Sequence, residues 1–203
     1  MSAAEECDRA PRKRADAKRN RERLLAAARD LIAEQGMTAS MEAVARRAGL
    51  GIGTLYRHFP TREALVEALY REEHAALLAA ADDLAARLPP DEALAQWLQR
   101  CLDYFVTKRG LGDSLHQLFQ ARPDLLAAVQ SGFPSTVTRL LAAAVAQGSI
   151  RADAEPEDIL HALGGIYAVP AGPDWRRRAG RIVELLMDGL RAKPGKAEPP
   201  ARD

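Results

Sequence analysis

The stretch Ser40 to Arg62, SMEAVARRAGLGIGTLYRHFPTR, constrains the fold more than any other part of the chain. Met41, Val44, Ala45 and Ala48 recur at the three- and four-residue spacing of one helix face, and Arg46 and Arg47 fall opposite them. Ser40 stands just ahead of this pattern, where its hydroxyl can accept from an orphan N–H of the first turn. Gly49 follows the last periodic residue, where a helix stop often calls for a positive φ. A second pattern runs from Ile52 to Phe59, with Ile52, Leu55 and Phe59 on one side and Gly53, Thr54, Arg57 and His58 elsewhere. Pro60 ends it, because the residue before a proline is pushed out of the α region. Two short helices joined by a glycine-containing turn predict a helix-turn-helix, whose second helix is sized for a DNA major groove.

The rest of the chain is also predicted to be helical. Hydrophobic residues make up 47%, much of it alanine, and no segment alternates apolar and polar over a strand's length. The expected fold class is all-α. The net charge of only +1 is poorly suited to a polyanion until its distribution is followed. From Arg9 to Arg23 there are eight basic residues against two acidic ones, so one end of the chain is suited to a polyanion. Met1 to Asp16 lacks periodicity and is expected to be a disordered basic arm, with Arg14 and the following Lys18 tracking phosphates or entering a minor groove. A solvated tail without a role is the alternative.

Gly49 to Leu65, GLGIGTLYRHFPTREAL, resembles the DNA-binding signature of the TetR (tetracycline-repressor type) regulators, in which the run Gly-Thr-Leu-Tyr-x-His-Phe stands in the recognition helix. The resemblance extends in order and spacing from about Arg21 to Leu69. It implies an N-terminal three-helix head and a C-terminal helical domain for ligand binding and dimerisation. It also implies that Tyr56 and His58 contact the DNA backbone, that Arg62 makes a phosphate contact and that Thr38 contacts a phosphate near the second helix. Thr38 as a plain turn residue remains open. The residues themselves add that Gly53 lets the backbone approach the duplex and that Thr54 and Arg57 can read base edges. Arg46 and Arg47 join the candidate DNA-binding set, as does Ile52, which could touch a thymine methyl or pack inside. Gly51 departs from the Ser or Thr common in the family, so a phosphate hydroxyl is missing there.

Along the chain, the expected parts are the arm (1–16), the DNA-binding head (17–60), a helical ligand-binding and dimerisation domain (61–192) and a disordered tail (193–203). Helix 61–87 would connect head and domain, being long enough at well over ~30 Å to reach between them. Its inward face is expected at Leu65, Ala68, Leu69 and Ala76. Two helices, Asp91 to Arg109 and Leu111 to Ala121, should follow, and Pro134 is expected to start a new helix within 123–147.

Candidate ligand-pocket residues are Trp97, Cys101, Tyr104, Phe105, His116, Phe119 and Gln120, though apolar residues at helical spacing are more often plain core. His116 and Gln120 stand out as polar groups one turn apart that would need partners if buried. By resemblance, the last two helices would pair with those of a second copy, bringing Leu160, Gly164, Ile182, Leu186 and Leu190 to the interface. Gly164-Gly165 would suit a close helix crossing.

The expected partners are double-stranded operator DNA, an unidentified small molecule and a second copy of the chain. Neither a cofactor nor a metal is expected, since Cys7, Cys101 and the four histidines offer no ligand spacing. No apolar run is long enough to span a membrane, and the first residues are charged where a signal peptide would be apolar, so a cytoplasmic location is expected. The competing functions are a ligand-independent architectural DNA binder, an enzyme, and a redox sensor through Cys101. No Ser/His/Asp or paired-carboxylate constellation supports the enzyme.

Overall fold

The computed structural model describes residues 3–170 and 172–192. These form eight α-helices: α1 (Ala3–Gln35), α2 (Met41–Arg47), α3 (Ile52–His58), α4 (Arg62–Arg87), α5 (Pro90–Ala121), α6 (Pro123–Gln147), α7 (Pro156–Ala168) and α8 (Trp175–Leu190). A 3₁₀ turn, Gly36–Thr38, follows α1, and an isolated antiparallel bridge links Ile150 to Arg191. Strands are absent among the described residues, in line with the all-α composition.

The chain divides into two compact units that are not contiguous in sequence. The segment up to Glu73 joins Val106–Pro123, and His74–Phe105 joins the segment from Asp124 onwards. The expected boundary at Pro60 is therefore displaced, because α4 and α5 each contribute to both units. In the first unit Leu24, Leu25, Ala28, Leu31 and Ile32 of α1 are buried with Val44, Leu55, Phe59, Leu65 and Leu69. Each fully buried leucine of this set contributes about 1.5–3 kcal/mol. Gly110 of α5 is part of the same packing. A Cβ there would lie 2.9 Å from Ile32 Cγ2 and 3.2 Å from the Ile32 carbonyl oxygen, so only glycine fits without movement. Arg29 pairs with Glu73 and, at 3.4 Å, with Glu72, while Arg122 reaches Glu67 at 2.9 Å.

The second unit is built around Trp97, which is fully buried and donates its indole N–H to the Leu77 carbonyl at 2.9 Å. Phe133 lies 5.1 Å from it, and Phe105 lies 5.0 Å from Tyr167. Trp175 donates to the Ile166 carbonyl at 3.3 Å, and Gln99 to the Gly180 carbonyl at 3.1 Å.

Several expectations are corrected. Helix α1 begins at Ala3, so residues 3–16 are helical where an arm was expected. From Arg12 onward no glycine or proline interrupts it, and the pairs Asp16–Arg19 and Lys18–Glu22 support its middle turns. Residues 193–203, expected as a tail, lie outside the described residues. Helix α6 continues through Pro134 instead of restarting there. The proline costs one i→i−4 bond, and just beyond it Ser135 and Thr136 hydroxyls both donate to the Gly132 carbonyl, at 3.0 and 2.9 Å. The expected helix break near Gly110 occurs at Gly112 (φ 48°, ψ −134°), inside α5. Ala76 is exposed, not inward.

Candidate nucleic-acid interface

Helix α2 starts as its sequence dictates. The Ser40 hydroxyl accepts from the Ala43 amide at 3.1 Å, and its own backbone is extended. The Glu42 backbone amide, and after it the Ser40 hydroxyl, hold the Glu42 carboxyl below the usual range, keeping negative charge at the helix N-terminus. The helix ends at Gly49, whose φ of +63° lets its amide reach the Arg46 carbonyl at 3.0 Å, while the Leu50 amide reaches the Ala45 carbonyl at 2.9 Å. Arg23, on α1, seals this turn: its guanidinium donates to the Ala48 carbonyl at 2.6 Å and the Gly49 carbonyl at 3.4 Å.

Helix α3 follows with no side-chain cap, since Gly51 has none to offer; the Gly51 carbonyl accepts from Thr54 and Leu55 at 2.9 and 3.2 Å. Leu55 and Phe59 are buried, and the Arg21 guanidinium lies over the Phe59 ring at 4.9 Å. The opposite side of α3 faces outward. Ile52 is 39% exposed and Tyr56 44% exposed, with Gly53 and Arg57 also exposed and Thr54 and His58 half-buried. Ile52 thus does not pack inside, the second of its two expected placements. A Cβ added at Gly53 would meet nothing within 4 Å, so that face is open to a close-fitting partner. Thr61 then caps α4, accepting from the Ala64 amide at 3.2 Å.

The flanking cations differ in their freedom. Arg46, Arg57 and Arg14 are exposed, and Lys18 is exposed with Glu22 at 3.9 Å. Arg47 is held in a two-pronged pair with Glu34, at 3.0 and 2.8 Å. This pair pulls the Glu34 carboxyl below and the Arg47 guanidinium above their usual ranges. Arg62 donates to the Ala39 carbonyl at 2.7 Å, and the exposed Thr38 hydroxyl donates to the Gln35 carbonyl at 2.7 Å. Arg23 and Glu34 were not legible as part of this site. Their partners lie 25 and 13 residues away, beyond any local spacing signal.

The candidate pocket residues are shared between the two units. Trp97, Cys101, Tyr104 and Phe105 are buried in the second unit, while His116, Phe119 and Gln120 belong to the first. Phe119 packs edge-on against Tyr70 at 5.3 Å. His116 and Gln120 are exposed and hydrogen-bonded to each other at 3.0 Å, so solvent meets the needs that a buried pair would have brought to a pocket. Burial pushes the Cys101 thiol well above its ordinary value, which disfavours a reactive thiolate. Among the described residues no cluster of three or more His, Cys, Asp or Glu side chains could hold a metal ion, and no helix is long and apolar enough to cross a membrane.

Of the expected interface residues, Gly164 and Ile182 are exposed, Leu160 and Leu186 half-buried, and Leu190 buried within its own chain. Gly164 and Gly165 have no atom within 4 Å of an added Cβ, so among the described residues no helix crosses closely there. Leu185 is 70% exposed beside Ile182, and a hollow of about 200 Å³ opens between Val169, Pro173, Trp175 and Ile182.

Comparison with known proteins agrees with this geometry. Residues 24–69 match the family described as "Bacterial regulatory proteins, tetR family", and residues 89–192 match "Transcriptional regulator SbtR-like, C-terminal domain". The chain is similar to a TetR transcriptional regulator of Streptomyces coelicolor whose crystal structure is known, at 43% identity and a TM-score of 0.76, covering 85% of this chain and 99% of that one. A TetR regulatory protein of Mycobacterium vanbaalenii gives 36% identity and a TM-score of 0.71, covering 88% and 99%. The HTH-type transcriptional regulator UidR of Escherichia coli (strain K12) is 38% identical over 65 residues, 32% of this chain and 33% of UidR. The chain thus spans about a third of the length of the curated relatives it matches.

Proposed function

This chain belongs to the TetR family of helix-turn-helix transcriptional regulators, and on that premise we propose that it is a repressor released from a palindromic operator by a small molecule. The observation that carries the DNA-binding half is the outer side of α3. There Ile52, Gly53, Tyr56 and Arg57 face solvent while Leu55 and Phe59 anchor the helix from behind. Tyr56 serves the phosphate backbone, Thr54 and Arg57 the base edges, and exposed cations such as Arg46 the polyanion at large. Two copies are needed to place two such helices roughly 34 Å apart on one face of a duplex. The exposed Ile182 and Leu185, with the open Gly164-Gly165 surface, support α7 and α8 as the pairing face. The second unit, rich in buried aromatic groups, is the ligand's seat, and the ligand acts by binding the DNA-incompetent state more tightly.

Selection of duplexes from random DNA, followed by titration of variants, tests this. Tyr56→Phe should weaken every sequence alike, whereas Thr54→Ala and Arg57→Ala should change base preference, at about 1–3 kcal/mol per contact. Equal affinity for selected and random duplexes would favour the architectural binder instead.

A further inference from the structure

His74, near the middle of α4, is only 9% exposed, yet among the described residues neither ring nitrogen has a hydrogen-bond partner. Buried polar side chains are nearly always paired, so such a group calls for an occupant. Elsewhere in the same unit the Trp97 indole donates to Leu77, the Thr136 hydroxyl to the Gly132 carbonyl, and the Gln99 amide to Gly180. The imidazole lies against Tyr104, with ring centres 6.1 Å apart and planes tilted by 52°. On another side the α6 backbone passes at Gly132, where an added Cβ would lie 3.3 Å from Nε2 and 2.8 Å from Leu78 Cδ1. Any larger residue there would press on Nε2. Beyond Tyr104 lies the aromatic run of the second unit, in which Phe105 stacks on Phe133 at 6.4 Å and Phe133 meets Trp97.

We propose that His74 is the polar anchor of the ligand seat and selects an uncharged aromatic molecule bearing a hydroxyl group. The proposal rests on reading the second unit as the ligand-binding part. Burial lowers the pKa of His74, keeping the ring neutral. A neutral imidazole presents one N–H donor and one bare nitrogen acceptor, and a hydroxyl can pair with either of them, accepting from the first or donating to the second. A flat apolar body suits the neighbouring rings. A carboxylate on the same body is disfavoured, because it needs a positive partner that a ring held neutral does not supply.

Calorimetric titration of the full chain with 2-naphthol, naphthalene and 2-naphthoate tests this, together with the imidazole nitrogen signals of His74 by NMR. The wild type should bind 2-naphthol at least about tenfold tighter than naphthalene, and the His74 nitrogen signals should shift only with the former; tenfold is ~1.4 kcal/mol. His74→Leu should erase the preference, and His74→Gln should restore part of it. Equal binding of the two neutral probes, a preference that survives His74→Leu, tightest binding of 2-naphthoate, or no binding at all overturns the proposal. Should His74→Leu fail to fold, the wild-type nitrogen signals decide alone, and unchanged signals overturn it. Titration of the selected duplex without probe separates the two ideas. Sequence-selective DNA binding with no His74 effect sinks only the anchor, whereas loss of selectivity in the wild type sinks the regulator reading and leaves the probe result standing.

Discussion

Arg23→Ala removes the guanidinium that holds the Ala48 and Gly49 carbonyls, and with it the lock on the turn that aims α3. A hydrogen bond from a charged donor is worth ~1.5–3 kcal/mol, but this one is partly exposed and the freed carbonyls can take water, so its share falls to ~1 kcal/mol. Loss of a cation at the C-terminal end of α2 adds about 0.3–1 kcal/mol. A total near 1.5 kcal/mol should lower the melting temperature by roughly 3–6 °C in a chain of this size. DNA affinity should fall about equally for selected and random duplexes, because the aim of α3 loosens while no base contact is lost. The decisive measurement is fluorescence anisotropy of labelled duplex at several salt concentrations. A positioning role leaves the slope of log K against log salt unchanged. A slope smaller in magnitude by about 0.9 would mean that Arg23 neutralises a phosphate itself, and the account of the turn would be wrong. Arg23→Lys should recover only part of the loss, since an ammonium cannot reproduce the planar fork over two carbonyls.

Two further perturbations probe the first unit. Gly110→Ala should destabilise the chain by about 1–2 kcal/mol, the overpacking against the Cγ2 methyl and carbonyl of Ile32 outweighing the helix propensity gained; urea unfolding measures it, and an unchanged or raised midpoint would refute the close packing. Glu34→Gln should free Arg47, raising affinity for DNA of any sequence and steepening the salt slope by up to about 0.9, read by the same anisotropy titration. Because the Glu34 carboxyl sits below its ordinary range, the pair is complete above the ordinary carboxylate pKa and is lost only as pH falls through the lowered value. The effect of Glu34→Gln should therefore be constant between pH 6 and 8.

What was legible in the sequence was what neighbouring residues decide. The limits of α3, the Ser40 and Thr61 caps and the positive φ of Gly49 follow from spacings of four residues or fewer, and the burial of Leu55 and Phe59 follows from periodicity. Pro134 misled because a proline's preference for helix starts is a local rule, and the packing of Val137, Leu140 and Leu141 along one continuous face overrides it. His116 and Gln120 show a related limit of local rules. Helical spacing reports that His116 and Gln120 share a face with each other, but not that the face is wet. Arg23, Glu34 and His74 owe their roles to groups brought together by the tertiary fold, or to the lack of such groups, and no pattern along the chain encodes that.

The division of labour within α3 bears on how such a protein changes over time. Its inner residues do the folding, while Ile52, Gly53, Tyr56 and Arg57 carry little of the packing load. Substitutions at those four outer positions can therefore accumulate with little harm to the scaffold, so a duplicated copy of the gene is free to drift toward a new address on the chromosome.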